Sequence, residues 1–429
     1  MLFNVIKIII PSILVAIGLR FFGFLSNKEI LVLTALFLVF SIRFGWSKSL
    51  TSSVSFFITV ILTSLIVNLS GLADKSFYRP FEKLLNYVVD CDCLLFRKTL
   101  DFEMKQPHGD LYAIDPGGLF EVEPRNIKTT IDSLGFRNNF DYKGEKILLV
   151  GDSFVLGTGN TQNHILSNQL KDKFGISTYS LAQSGNLFSY VKFIKYFKKS
   201  QKVKEMPKII LFLFEGNDFK NYDSKNFRES EKSYSLRRIK KIYRKVFVER
   251  PFFYFTYSLY SNAYRSVISR FNSNDSQVKK GPTVTLQVKD NNVGFLGGYI
   301  DHTVKRNYSG FNLAEKEFEL LKNEIRLIVF IPTKYRVYHE LIENPPHKSI
   351  PNKNWEYLDM FCEKLDIKLI NLTKPLINQA KLLLKGKNQL VWWKDDTHWN
   401  DKGIAVTAEE IHKNLKIDSV KFLSDSKIK

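Results

Sequence analysis

The chain has 429 residues and carries 63 Lys and Arg against 43 Asp and Glu, a formal charge of +20. Its length exceeds one typical domain, and an apolar fraction of 44% excludes a disordered chain and supports a sizeable core. The basic excess is spread along the sequence, with no zinc finger, RNP signature or compact Lys/Arg block, which argues against a nucleic-acid partner.

Residues 1–70 differ from everything after them. Phe3 to Leu25 is mostly apolar with only Lys7 and Arg20 charged, Ile30 to Trp46 is a second apolar run, and Leu50 to Leu69 is a third with no charge. A spanning helix needs about 20 mostly apolar residues, so this region is expected to hold two to three transmembrane helices. A cleaved signal peptide fits poorly, because two more apolar runs follow the first directly. Arg43 and Lys48 flank the second break, whereas Lys28 and Glu29 cancel in the first. The positive-inside rule then places the second break in the cytoplasm and the large C-terminal part outside it.

Residues 71–125, punctuated by Pro80, Pro107, Pro116 and Pro124, read as a connector with short helices. From Lys146 the pattern changes to short continuous apolar runs at 146–150, 208–214, 325–331 and 367–370, with a helical stretch at 354–365. Continuous runs of this length are the mark of strands buried on both faces, and their alternation with helices predicts an α/β domain with a mostly parallel sheet over 126–415. Residues 222–310, basic and aromatic as in Ser235 to Arg244, read as an insert, and 416–429 as a tail. Three cysteines, Cys91, Cys93 and Cys362, are too few and too oddly numbered for a disulfide framework. Whether any two pair is open; one bridge to Cys362 is compatible with a domain outside the cytosol.

In parallel sheets ligands bind at the carboxyl ends of strands, and the unusual residues sit there. Gly151-Asp152-Ser153 follows the first run, placing a hydroxyl where a helix begins; the plainer alternative is that Ser153 merely caps that helix. Near the C-terminus, Asp395 and Asp396 lie within three residues of His398. A weak hydroxyl nucleophile needs a base, and the base needs an acceptor that fixes its tautomer. The plainer reading is a loop histidine packed between Trp393 and Trp399. Gly185, in the stretch Leu181 to Asn186, can offer a backbone N–H to an oxyanion, and Asn217, at the end of the second run, a side-chain amide.

Gly-Asp-Ser (151–153), Gly185, Gly216-Asn217-Asp218 and Asp-x-His (396–398), in this order, resemble the four blocks of the SGNH, or GDSL, hydrolase superfamily. The resemblance covers about 125–415. It implies a flavodoxin-like three-layer α/β/α fold, Ser153 as nucleophile, His398 as base, and an oxyanion hole from the Ser153 and Gly185 amides with Asn217. It implies no metal and no organic cofactor. Many members place the acid three positions before the histidine, which is Asp395 here; the Asp-Thr-His-Trp form, similar to polysaccharide O-acetylation proteins, places it two before, at Asp396. Both stay open, with a lean to Asp396. Ser-Leu-Gly-Phe-Arg (133–137) and Asp-Thr-His-Trp-Asn (396–400) look like a bacterial subgroup that handles acyl groups on surface polysaccharides.

The resulting expectation is a serine esterase or O-acyltransferase, acting on an acetylated glycan or a small ester. It would sit in a bacterial inner membrane with its catalytic domain outside, beside a multispanning acyltransferase as a candidate partner. The alternative is a non-catalytic glycan-binding or assembly component in which Trp392, Trp393 and Trp399 stack on sugar rings. A divalent-metal site at Asp395, Asp396 and His398 lacks a second ligand group at a suitable spacing. A paired-carboxylate glycosidase leaves the Gly-Asp-Ser and Gly-Asn-Asp signals unexplained.

Overall fold

The computed structural model describes residues 84–88, 90–115, 118–219, 283–304 and 321–425. The expected membrane helices, most of the basic insert and the last residues of the tail lie outside them. Among the described residues no helix is long and apolar enough to cross a membrane.

The described chain begins with two antiparallel ladders. Strands β1 (Leu85–Val88) and β2 (Cys93–Phe96) form a hairpin. Strand β3 (Leu100–Gln106) pairs along its whole length with β4 (Arg125–Ile131), from Leu100↔Ile131 to Gln106↔Arg125. The short helix α1 (Asp110–Ile114) lies between them in sequence. In the described part of the expected connector, the regular structure is therefore strand with one short helix. Its alternation had been masked by charged residues on the outer face: β3 buries every second side chain in part, and β4 buries Arg125, Ile127, Thr129 and Ile131. Cys91 and Cys93 are joined by a disulfide inside the first hairpin, and Cys362 is a buried free thiol. The bridge thus closes between the near neighbours and does not involve Cys362.

The central domain follows in the order β5 (Ile147–Val150), α2 (Ser153–Leu156), α3 (Leu166–Phe174), β6 (Tyr179–Ser180), α4 (Leu187–Gln201) and β7 (Lys208–Phe214). A hairpin of β8 (Thr283–Val288) and β9 (Asn291–Leu296) comes next, then α5 (Gly297–Val304), β10 (Ile325–Ile331), α6 (Lys334–Tyr338) and α7 (Lys353–Leu365). Strand β11 (Lys368–Asn371), α8 (Thr373–Lys387) and α9 (Asp401–Asp425) complete it. The sheet order is β11-β10-β7-β5-β6 and every neighbouring pair is parallel. In chain order this is 2-1-3-4-5, the flavodoxin-like arrangement, whose direction of winding reverses between β5 and β7.

Two-residue periodicity explains why the strands read as unbroken apolar runs. Leu149, Ile210, Phe212, Phe214, Leu327, Val329 and Ile331 face one core, together with Leu166 and Leu170 of α3, Leu376 and Ala380 of α8, and Ile404 and Ile411 of α9. Leu148, Val150, Ile209, Leu211, Leu213, Ile328 and Phe330 face the other, against Tyr190, Phe193 and Phe197 of α4 and Leu358 and Phe361 of α7. Both faces are covered by helices, so neither can carry polar residues. Fully burying one such Leu or Phe is worth about 1.5–3 kcal/mol.

Part of the expected insert belongs to this fold. Val288, Val293 and Phe295 of the β8–β9 hairpin are buried in the first core, so 283–304 is integral to the described structure. In sequence it merges with the basic stretch before it, because hairpin strands of six residues leave a weak period.

Candidate active site

Ser153 stands at the end of β5, beside the reversal point. Gly151 is needed there for space: a Cβ on it would lie 2.6 Å from Val155 Cγ2 and 3.1 Å from Phe212 Cβ. The cap of α2 is Asp152, whose Oδ1 accepts the Phe154 N–H at 2.9 Å, so Ser153 is not itself the cap. Arg137, from the Ser-Leu-Gly-Phe-Arg stretch, secures the segment after α2. It donates to the carbonyls of Leu156 (3.2 Å), Gly157 (3.0 Å) and Asn160 (2.8 Å).

His398 Nε2 lies 2.7 Å from Ser153 Oγ, across 245 residues of sequence. Its Nδ1 lies 2.7 Å from Asp396 Oδ1, which also accepts the His398 backbone N–H at 3.1 Å. His398 and Asp396 are sealed from solvent, whereas Ser153 keeps 8% exposure. Of the two candidate acids, Asp396 touches the imidazole. Asp395 points instead at Arg125, whose Nη2 donates at 2.7 Å, and accepts the Gly109 and Glu123 backbone N–H groups at 2.6 and 3.1 Å.

The expected oxyanion donors lie on the flanking turns. Asn217, on the turn after β7, donates from Nδ2 to Asp152 Oδ2 at 3.1 Å, next to Ser153 in the chain. That turn is fixed by Asp218, whose carboxylate accepts the Phe214 N–H (2.8 Å) and the Tyr190 hydroxyl (3.1 Å). Gly185 lies on the loop after β6, two residues beyond Gln183, whose N–H donates to the Gly151 carbonyl at 3.3 Å. A Cβ on Gly185 would come within 2.6 Å of Ser189 Cβ, so the loop packs there only with glycine. Among the described residues no hydrogen bond joins Gly185 to Ser153 or His398.

The loop carrying Asp396 and His398 has little regular structure of its own, and residues that sequence patterns do not reveal hold it. The amides of Gly109, Asp110 and Leu111, entering α1, donate to Asp395 Oδ2, Asp396 Oδ2 (3.3 Å) and the Asp395 carbonyl (3.1 Å). Asp110 in turn accepts the Thr397 N–H at 2.8 Å and the Thr397 hydroxyl at 2.6 Å. From the other side, Lys334 Nζ donates to the carbonyls of Gly294 (2.7 Å), Trp393 (2.6 Å), Lys394 (3.1 Å) and Asp396 (3.1 Å). Burial pulls this ammonium down to about 8, against the opposing pull of Glu123, Asp395, Asp396 and Asp110. Burial likewise raises the Glu123 carboxyl above its usual range. No local motif marks Asp110, Arg125 or Lys334; the only hint was position, since Lys334 follows a strand end.

Trp392 and Trp399 are fully buried, their indole N–H groups donating to the Thr397 and Phe154 carbonyls at 3.1 Å each. They are core residues and cannot stack on a sugar. Trp393 is partly exposed and lies under the Arg125 guanidinium, 4.3 Å from its ring centre.

Asp110, Asp396 and His398 also bring three potential metal-ligand atoms within 4.8 Å of one another. Donors already point at these carboxylates: Thr397 N–H and O–H at Asp110, His398 N–H and Nδ1 at Asp396. A divalent ion would have to displace them, so the trio fits a shared imidazole proton better than a cation.

The family model of GDSL-like lipase/acylhydrolase matches residues 147–411, from the first strand of the sheet into α9. The chain belongs to this family, of the SGNH superfamily, whose members are esterases and acyltransferases, and is an enzyme of that broad class. Comparison with curated proteins and with solved structures gives no match.

Proposed function

We propose that Ser153, His398 and Asp396 work as a nucleophile, base and acid in acyl transfer from an ester. The observation that carries this reading is the continuous run Ser153 Oγ–His398 Nε2–Nδ1–Asp396 Oδ1, with both contacts at 2.7 Å. Ser153 Oγ attacks the ester carbonyl carbon while its proton passes to Nε2. The tetrahedral oxygen is received by the Ser153 and Gly185 amides and by Asn217 Nδ2. An amide nitrogen carries two hydrogens, so the bond to Asp152 orients this group without using it up. Collapse breaks the ester C–O bond, and the leaving alcohol takes the proton from Nε2. Water or a second hydroxyl then attacks the acyl-serine by the reverse sequence, releasing Ser153.

The group transferred is proposed to be acetyl, and the substrate an acetylated cell-surface glycan or related ester. This rests on the Asp-Thr-His-Trp-Asn form of the last block. The apolar runs in 1–70 suggest that the enzyme is held in a bacterial inner membrane with this domain outside, where a multispanning acyltransferase is a candidate partner. Ser153→Ala is expected to reduce turnover of p-nitrophenyl acetate to the level without enzyme; unchanged turnover would falsify the assignment. Acetyl balance on candidate glycans, with and without the protein, separates hydrolysis from transfer. The glycan-binding alternative loses two of its three stacking residues to the core.

A further inference from the structure

Asp110 lies in the arm before the matched segment, yet it reaches the imidazole. It is 1% exposed, and its Oδ2 lies 3.6 Å from His398 Nδ1. The same oxygen accepts the Thr397 hydroxyl at 2.6 Å, while Thr397 Oγ1 lies 3.3 Å from Nδ1. A hydroxyl has one hydrogen, and an ionised carboxylate can only accept. With its hydrogen directed to Asp110, Thr397 Oγ1 presents a lone pair to Nδ1. The three oxygens nearest Nδ1, from Asp396, Thr397 and Asp110, are then all acceptors. Nδ1 must carry the proton, and Nε2 is left with its lone pair toward Ser153.

The charges make the same point. Asp395 and Asp396 face two buried cations: Arg125 Nη2 lies 2.7 Å from Asp395 and 3.7 Å from Asp396, and Lys334 Nζ bonds the Asp396 carbonyl. Lys334 also lies in the field of the Glu123 and Asp110 carboxylates. Glu123 is turned away to the Lys394 amide. Asp110 Oδ2 lies 3.6 Å from Nδ1, where an imidazolium forms when Ser153 gives up its proton, so its charge faces that of the ring.

Building on the Ser153–His398 reading, we infer that Asp110 is a positioning residue. Through the Thr397 hydroxyl it fixes the Nδ1–H tautomer of His398, and its charge stabilises the imidazolium.

The test is the pH dependence of fluorophosphonate labelling of Ser153 in the full-length chain, which needs no knowledge of the natural substrate. Asp110→Asn should be labelled at least about tenfold more slowly than wild type. Its acid limb should move to lower pH by about one unit, because losing a negative charge beside the ring favours neutral imidazole. Thr397→Val, close in shape, should slow labelling similarly and add little to Asp110→Asn when combined. Thr397→Ser, which keeps the hydroxyl, should restore the rate. An Asp110→Asn profile that superimposes on wild type, or one that is slower with an unmoved acid limb, overturns the inference. Absence of labelling at Ser153 in the wild-type chain instead overturns the esterase reading on which it rests.

Discussion

The two sides of the site are built in opposite ways. The nucleophile side is local: β5 ends, Gly151 makes room, Asp152 caps α2, and Ser153 is delivered within four residues of the strand. The acid side is assembled at long range. Asp395, Asp396 and Thr397 are held by Gly109, Asp110 and Arg125, some 270 to 287 residues earlier in the chain, and by Lys334 from α6. A short strand–turn–helix suffices to aim a hydroxyl, because only one atom must be placed. A carboxylate kept ionised out of water needs donors on every side, and one loop cannot supply them.

Substitutions on the two sides should therefore differ in size. The largest effect is expected from Asp396→Asn, which leaves packing intact but presents an amide to Nδ1 and favours the wrong tautomer. Esterase turnover should fall by about 10³–10⁴-fold with the melting temperature nearly unchanged. A fall of tenfold or less would mean that Asp396 is not the acid.

Lys334→Met comes next. It strands four buried carbonyls and removes a cation from beside Asp395 and Asp396, so unfolding free energy should drop by about 3–5 kcal/mol, read by denaturant titration. The same lysine gives a pH signature. Its native value, about 8, lies below the ordinary 10.5, so between these pH values the unfolded chain binds the extra proton. Stability of wild type relative to Lys334→Met should accordingly rise with pH across that window; a fall would contradict the buried-ammonium picture.

On the nucleophile side, Asp152→Ala removes a cap and the bond to Asn217. It is expected to cost about 1 kcal/mol of stability, a smaller loss than at Lys334. An equal loss at both positions would erase the contrast between the two sides. The smallest effect concerns the cysteines. Burial pushes the Cys362 thiol up to about 12, so the native protein should resist alkylation. In denaturant, one thiol should react without reductant and three with it, by mass spectrometry of the modified chain.

The same contrast explains what could be read before the structure. Four of the five strands of the central sheet are legible because both of its faces are covered, leaving uninterrupted apolar runs such as Lys208–Phe214. Ser153 and Asn217 are legible because they follow those runs, and the Asp396/His398 loop because its Asp-x-His block completes a recognisable order. The two-residue strand β6 offers no period to detect, and β3 hides its buried face between Asp101, Glu103 and Lys105. Arg125 and Lys334 looked like members of a generally basic composition. A charge buried by partners from another part of the chain is indistinguishable, in sequence, from one facing solvent. The choice between Asp395 and Asp396 depended on the same hidden partner, since Arg125 claims Asp395 and leaves Asp396 to the histidine.

The pinning of the last loop by the early arm also sets a boundary for dissection. A fragment starting at residue 147 would retain every recognisable block yet lack Gly109, Asp110 and Arg125. Two adjacent carboxylates would then be left with one buried cation and the His398 amide as their remaining backbone donor, and they would repel each other and the fold around them. The smallest autonomous unit must reach back through β3, so recognisable homology and foldable extent do not coincide in this chain.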